Sequence, residues 1–258
     1  YTRKCIILKK LNAIQRIPLL MITKAFKTTS NIGLTILANV PLVYLTIEKE
    51  NEMHHIIHGQ KKFKWKDEFF TRNEIMVKYD LWQDHPADRV EYCFSKEADN
   101  TLKNKIYTNG SKAQNNVGAA FIILNDENCI LDSKQYKLPP YAKNFEAETR
   151  AILKAINYTK TFEHSNNYQL FTDSLSALQA ISNPVNNNHL IQQIKKELAT
   201  LNSEIKLTFI KGHSGNYGND LADELAKEAA KHGEEIKIPV TKTVIKKEHK
   251  ENLSQEWN

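Results

Sequence analysis

Five polar side chains sit where chemistry could be done. Asp173 follows the apolar run Tyr168–Thr172 and opens a helical stretch, the usual place for a functional carboxylate in an open α/β sheet. Glu148 lies in the first turn of another helical stretch, beside Ala147 and Ala151, which are small enough for close packing. Asp223 follows Gly218-Asn219-Asp220-Leu221-Ala222 and is flanked by Asp220 and Glu224. Asn109 ends a strand-like stretch within Tyr107-Thr108-Asn109-Gly110-Ser111-Lys112, and His213 sits in Lys211-Gly212-His213. Each carboxylate also has an ordinary structural reading: Asp173 as a helix N-cap, Glu148 as compensation of a helix dipole, Asp223 as a surface charge. Singly, none decides. His54, His55 and His58 invite a metal reading, but no cysteine or acidic ligand stands at matching spacing, so they read as an exposed helix end. The cysteines, Cys5, Cys93 and Cys129, are odd in number and far apart with no CxxC pair. Neither a disulfide framework nor a zinc site is expected, and a reducing compartment fits best.

The elements that must position these residues are legible in the periodicity. Ile106–Thr108, Val117–Leu124 and Asn128–Lys137 read as three strands with tight connections. Pro139-Pro140 breaks the run, and Asn144–Thr161 then has helical spacing through Ala147, Ala151, Ile152 and Ile156. Tyr168–Thr172 is a short buried strand, Ser174–Ile181 and Asn188–Leu201 are helices, Lys206–Lys211 is a fifth strand and Tyr217–Lys231 a final helix. The order βββαβααβα predicts an α/β layer fold in which an antiparallel meander feeds a mixed sheet.

Upstream, Ile6–Ile57 is helical in pattern. Pro18 is expected to end or kink the first helix. Thr28, Thr29 and Ser30 offer an N-cap for Ile32–Val40, and Pro41 is expected to open the next helix. Residues 58–100 are charged, aromatic and weakly periodic, and read as a connector. The net charge of +6 is concentrated: residues 1–80 hold 14 Lys/Arg against 7 Asp/Glu, and the remainder 22 against 23. A local run, Lys61, Lys62, Lys64 and Lys66 interleaved with Phe63 and Trp65, suits a phosphate backbone and exposed bases, although a solvated face or linker has the same composition. No apolar run approaches the roughly 18–20 residues a membrane span needs. Tyr1 is no initiator and no signal peptide follows it, so the chain reads as part of something longer.

Taken together, Tyr107–Lys112, Ala147-Glu148, Thr172-Asp173-Ser174, and Lys211-Gly212-His213 followed by Gly218–Asp223 resemble the ribonuclease H type 1 signature, in order and in the expected elements. The resemblance covers about residues 101–233 and implies a ribonuclease H-like mixed five-stranded sheet flanked by helices, here preceded by a helical segment over 1–57 and followed by a tail over 234–258. It implies hydrolysis of the RNA strand of an RNA–DNA hybrid by two Mg²⁺ ions (Mn²⁺ as an alternative) held by Asn109, Glu148, Asp173 and Asp223, with His213 shuttling protons or aiding product release. Two such ions activate the water and stabilise the leaving oxygen. Glu146 competes for the second position, but two residues along a helix it faces elsewhere. Ser111, Lys112, Asn144 and Ser174 are candidates for substrate contact. One residue departs from the family, which carries Asp where Asn109 stands. An amide offers one oxygen where a carboxylate offers two, with no charge, so metal affinity and cleavage are expected to suffer. The alternative reading is therefore a catalytically inactive hybrid-binding module of a decayed or engineered element.

The flanks resemble another context. Leu11–Asn39 with Val40-Pro41-Leu42, and Ile238-Pro239-Val240 through Glu256-Trp257-Asn258, look like the segments around the nuclease in arthropod-type non-LTR retrotransposon reverse transcriptase polyproteins. That resemblance implies the polymerase portion of the same polyprotein as a partner, no membrane association, and an intracellular site in cytoplasm and nucleus. The loop Ser182–Asn187 is brief and uncharged. Grip on a hybrid would then come from elsewhere, and the basic first third is the candidate.

Overall fold

The computed structural model describes residues 2–59, 61–76, 78–81, 85, 89–99, 101–161, 167–201 and 204–257. The chain divides into two compact units, one of Tyr1–Met76 with Pro239–Asn258, the other of Val77–Ile238.

The first unit opens with α1 (Thr2–Thr23), α2 (Asn31–Ala38) and α3 (Val43–His58), with α1 packed on both of the others. Pro18 does not end α1, which runs on to Thr23. Proline removes one backbone hydrogen bond, and burial of the next residue, Leu19, supports the turn that follows. Ser30 caps α2 by accepting from the Gly33 N–H, as the Thr-Thr-Ser run predicts. Pro41 does not open α3, which begins at Val43. Its free N-terminus is closed by Gln15 of α1, whose Oε1 accepts from Val43 N at 2.9 Å and whose Nε2 donates to the Pro41 carbonyl at 2.8 Å. His54, His55 and His58 are exposed at the end of α3.

The stretch read as a connector is more ordered than its weak periodicity implies. It holds a hairpin of β1 (Phe63–Trp65) and β2 (Glu68–Phe70), a 3₁₀ turn at Arg72–Glu74, β3 (Ile75–Met76), and β4 (Phe94–Ser95), which belongs to the second unit. Strands this short leave too few residues for a period of two to register. Among the described residues no single helix is long and apolar enough to cross a membrane, although the bent pair α2 and α3 meets that test jointly by length and composition.

The second unit follows the expected order closely: β5 (Asn104–Ala113), β6 (Asn116–Leu124), β7 (Ile130–Leu138), α4 (Asn144–Thr159), β8 (Asn167–Thr172), α5 (Leu175–Ser182), α6 (His189–Ala199), β9 (Glu204–Phe209), α7 (Tyr217–His232) and β10 (Glu234–Glu235). The five expected strands form the body of the sheet. The two-residue strands β10 and β4 extend it to seven, in the order β10-β7-β6-β5-β8-β9-β4. β5, β6 and β7 are antiparallel neighbours, while β8, β9 and β4 run parallel to β5. β11 (Val240–Thr241) then returns to the first unit to pair with β3, and α8 (Lys242–Trp257) packs on α3.

Two glycines show how the helices cover this sheet. A Cβ on Gly110 would lie 2.3 Å from Glu148 N in α4, and one on Gly118 would lie 2.2 Å from the Ala226 carbonyl oxygen in α7. Gly110 pairs with Ala119 while Gly118 pairs with Ser111, so the two glycines point to opposite faces. α4 and α7 therefore sandwich the β5–β6 pair, each at backbone contact distance. Asn109 and Ser111 share the α7 face by the same alternation.

Candidate active site

The parallel pairing of β5 with β8 builds the centre of the site. Thr108 is in register with Thr172, so Asp173 leaves the carboxyl end of β8 beside Asn109, which does not end its strand as expected but lies within β5, paired with Ala120. Asp173 is not the cap of α5. Ser174 is the N-cap, accepting from Ala177 N, and this leaves the Asp173 carboxyl free for other work. A Cβ on Gly212 would stand 2.6 Å from Asp173 Oδ2, so the loop after β9 passes against this carboxylate because residue 212 has no side chain.

Glu148 reaches the same place from α4. Ser174 Oγ donates to its Oε2, and Asn144 Nδ2 donates to its Oε1 at 2.6 Å. Its rival Glu146 accepts from Lys143 N at 2.9 Å, closing the amino end of α4, and is buried there. Asp223 comes from α7, where Asn109 Nδ2 donates to its Oδ1 at 3.4 Å and Lys227, one turn on, donates to its Oδ2. Asn109 is buried, and its Oδ1 accepts from Gly110 N at 2.7 Å. That bond fixes the amide: its oxygen is spent on the backbone, and its NH₂ faces Asp223.

The charges are coupled through space. Burial pushes the Glu148 carboxyl above its ordinary range, the Ser174 hydroxyl opposes this, and the Asp173 charge adds to it. Burial also raises Asp173, with the Asn219 side chain opposing, Asp223 adding and His213 opposing. Asp173 is thus in electrostatic contact with Glu148, Asp223 and His213, which come from a helix, a second helix and a loop. His213 is exposed, at a positive φ of 53°, in the turn before α7.

The four candidates for substrate contact divide. Ser174 is buried and committed to Glu148. Asn144 is exposed and holds Glu148 from the other side. Lys112 turns to the carbonyls of Pro140 and Ala142. Ser111 lines a cleft of about 460 Å³ with Asn116, Lys227, Lys231 and His232. Two contributors were missed. Asn219 is 1% exposed, bonds Asp173 through its side chain and keeps a buried Oδ1 with no partner. Lys227 pairs with Asp223. Both were within reach of the sequence, since 219, 223 and 227 are four apart and share one helix face.

Glu148 and Asp173, both half-buried and raised, stand with Asp223 as an oxygen donor set of the kind a hard divalent cation takes. They are not yet a finished ligand group: among the described residues no three Asp, Glu, His or Cys side chains are close enough to hold an ion. At position 109 the side chain presents an N–H to Asp223.

Human ribonuclease H1 is 33% identical over 113 residues, a match that takes in 38% of this chain and 39% of the human protein. The crystal structure of RNase H1 from the halophilic archaeon Halobacterium salinarum NRC-1 aligns over 49% of this chain and 96% of its own, with a TM-score of 0.42 and 18% identity. A family model for RNase H matches residues 102–231, which run from the start of β5 through the last turn of α7 and contain every group of the site; the chain belongs to the RNase H family.

Proposed function

We propose that the chain is an RNA–DNA hybrid ribonuclease, cutting the RNA strand with the help of divalent metal ions, and that Asn109 depresses its activity. The observation that carries the reading is the electrostatic contact of Asp173 with Glu148, Asp223 and His213 at the carboxyl end of β8, beside Asn109 of β5. Glu148, Asp173 and Asp223 would hold the metal, which when bound supplies an activated water and a stabilised leaving oxygen. The protein's part is positional. Ser174 and Asn144 fix Glu148, Asn219 fixes Asp173, and exposed His213 is placed to exchange protons with solvent. Preference for RNA would come from contacts to 2′-hydroxyls, with Ser111 and Asn144 in reach of the site's edge.

A second reading has its own observation. Asn109 donates to Asp223 where the family's carboxylate would bind metal, which favours a hybrid-binding module without cleavage. Mg²⁺-dependent cutting of a labelled hybrid by this chain beside its Asn109→Asp variant separates the two. A variant that cuts the RNA strand and spares single-stranded RNA and duplex DNA supports the nuclease. Comparable cutting of duplex DNA would remove it. The biological setting we propose is a non-LTR retrotransposon reverse transcriptase acting in cytoplasm and nucleus, supported by the flanking segments Leu11–Asn39 and Ile238–Asn258, with the polymerase portion of the same polyprotein as partner.

A further inference from the structure

We propose that the β1–β2 hairpin of the first unit is a contact surface for an unpaired nucleic-acid strand, with the Phe69 ring as a platform for one base and Lys62 and Lys64 as partners for the flanking phosphates. The hairpin sorts its residues by face. Phe63 pairs with Phe70, both are buried, and their rings lie 6.3 Å apart. The alternate pair, Lys64 with Phe69, therefore points outward. Phe69 is 60% exposed, and the Lys64 ammonium stands 5.8 Å from its ring centroid. Lys62, just before β1, is exposed as well.

The other lysines of the run are differently employed. Lys61 is bonded to Glu52, and Lys66, in the turn at a φ of 52°, lies over the Trp65 ring at 4.7 Å. The charge favours a polyanion, since Lys61, Lys62, Lys64 and Lys66 outnumber the hairpin's own Asp67 and Glu68 and residues 1–80 carry a twofold excess of basic side chains. A largely exposed ring with an ammonium over it at the longer distance of 5.8 Å matches the repeating unit of a single strand, one stackable base and one phosphate. A duplex would offer the phosphates but keep its bases stacked on one another. The occupant is thus a single strand, such as one continuing beyond the end of a hybrid. This surface does not depend on the chemistry at position 109.

The test is fluorescence anisotropy of a labelled oligothymidylate with the full chain in EDTA, over a range of salt. Phe69→Leu should weaken binding about tenfold, within the range for losing one base–aromatic stack. Lys64→Gln should weaken it several-fold and lower the salt slope by about 0.7, the value for one phosphate contact on a single strand. Lys61→Gln changes the net charge equally and should leave binding within about twofold, because Glu52 already occupies that ammonium. Affinity for a blunt-ended hybrid should be unmoved by Phe69→Leu, which separates this surface from the nuclease site. Circular dichroism melts of the three variants should match the parent, since the altered side chains are at the surface. No measurable binding of the oligonucleotide by the parent overturns the proposal. So does Phe69→Leu at parental affinity, or Lys61→Gln as damaging as Lys64→Gln.

Discussion

At position 109 an amide stands, which differs from a carboxylate by one heavy atom. The Asn109 amide spends its oxygen on Gly110 N and aims its nitrogen at Asp223. A carboxylate there would oppose the Asp223 charge, and that repulsion is what a bound cation relieves. Asn109→Asp should therefore raise Mg²⁺-dependent hybrid cleavage by orders of magnitude over the chain as it stands; equal rates would show that position 109 does not limit the reaction. The raised carboxyls of Glu148 and Asp173 carry a stability consequence. Their folded-state proton affinity exceeds the unfolded one, so the folded state binds more protons. The stability they contribute is full below the ordinary carboxylate range and is lost as pH rises through their folded values. Glu148→Gln, which removes the buried charge, should melt a few degrees higher than the parent at neutral pH, as is common where function strains a site. The two should converge below the ordinary carboxylate range, and a gain that persists unchanged in acid would refute the electrostatic account.

The elements hold the site by close approach as much as by polar contact. α4 and α7 meet the β5–β6 pair at positions with no room for a methyl group, Gly110 and Gly118. At the other end of α7, Gly218 lies against the Tyr107 ring, which itself stacks on Phe171 at 4.8 Å. Asp223 is placed by this seating of α7, and Glu148 by that of α4. Gly118→Ala should cost about 3 kcal/mol, the upper end of overpacking penalties, because the Cβ would meet helix backbone and not a flexible side chain. In a unit of this size that is a fall in melting temperature of roughly 6–12 °C. An unshifted melt would show that α7 can ride outward without cost.

On the scale of the molecule, the second unit is larger than the segment the family model matches. The family model begins at residue 102, yet β4 pairs with β9, Tyr92 donates to the Lys195 carbonyl at 3.0 Å, and Gln169, fully buried, accepts from Asp99 N at 3.0 Å. Asp99 also pairs with Lys206, and its bonds to Thr101 and Lys206 hold its carboxyl down at about 2. A protein of residues 77–238 should accordingly melt well above one of residues 101–238. Equal melting temperatures would reduce residues 77–100 to a passive strap. Removal of residues 1–76 should flatten the salt dependence of nucleic-acid binding, since that segment carries most of the excess positive charge.

The sequence by itself determined the order and type of the elements from β5 to α7, with boundaries off by one or two residues except at β5, which runs on from the expected Thr108 to Ala113. The reason is local: those elements are long enough, and buried on defined faces, for their periodicities to register. Short motifs in the sequence singled out Glu148, Asp173 and Asp223, which the fold brings into electrostatic contact through Asp173. What it could not determine were matters of contact between distant residues. That Ser174 rather than Asp173 caps α5, that the Asn109 amide is turned by its own neighbour's N–H, and that Gln15 closes α3 are all pairings the tertiary structure selects. So are the edge strands β4 and β10, two residues each, which exist only because β9 and β7 offer them unpaired backbone. Phe63 and Phe69 make the same point in one hairpin. Composition assigned Phe63 to the nucleic-acid run, and register buried it and turned Phe69 outward.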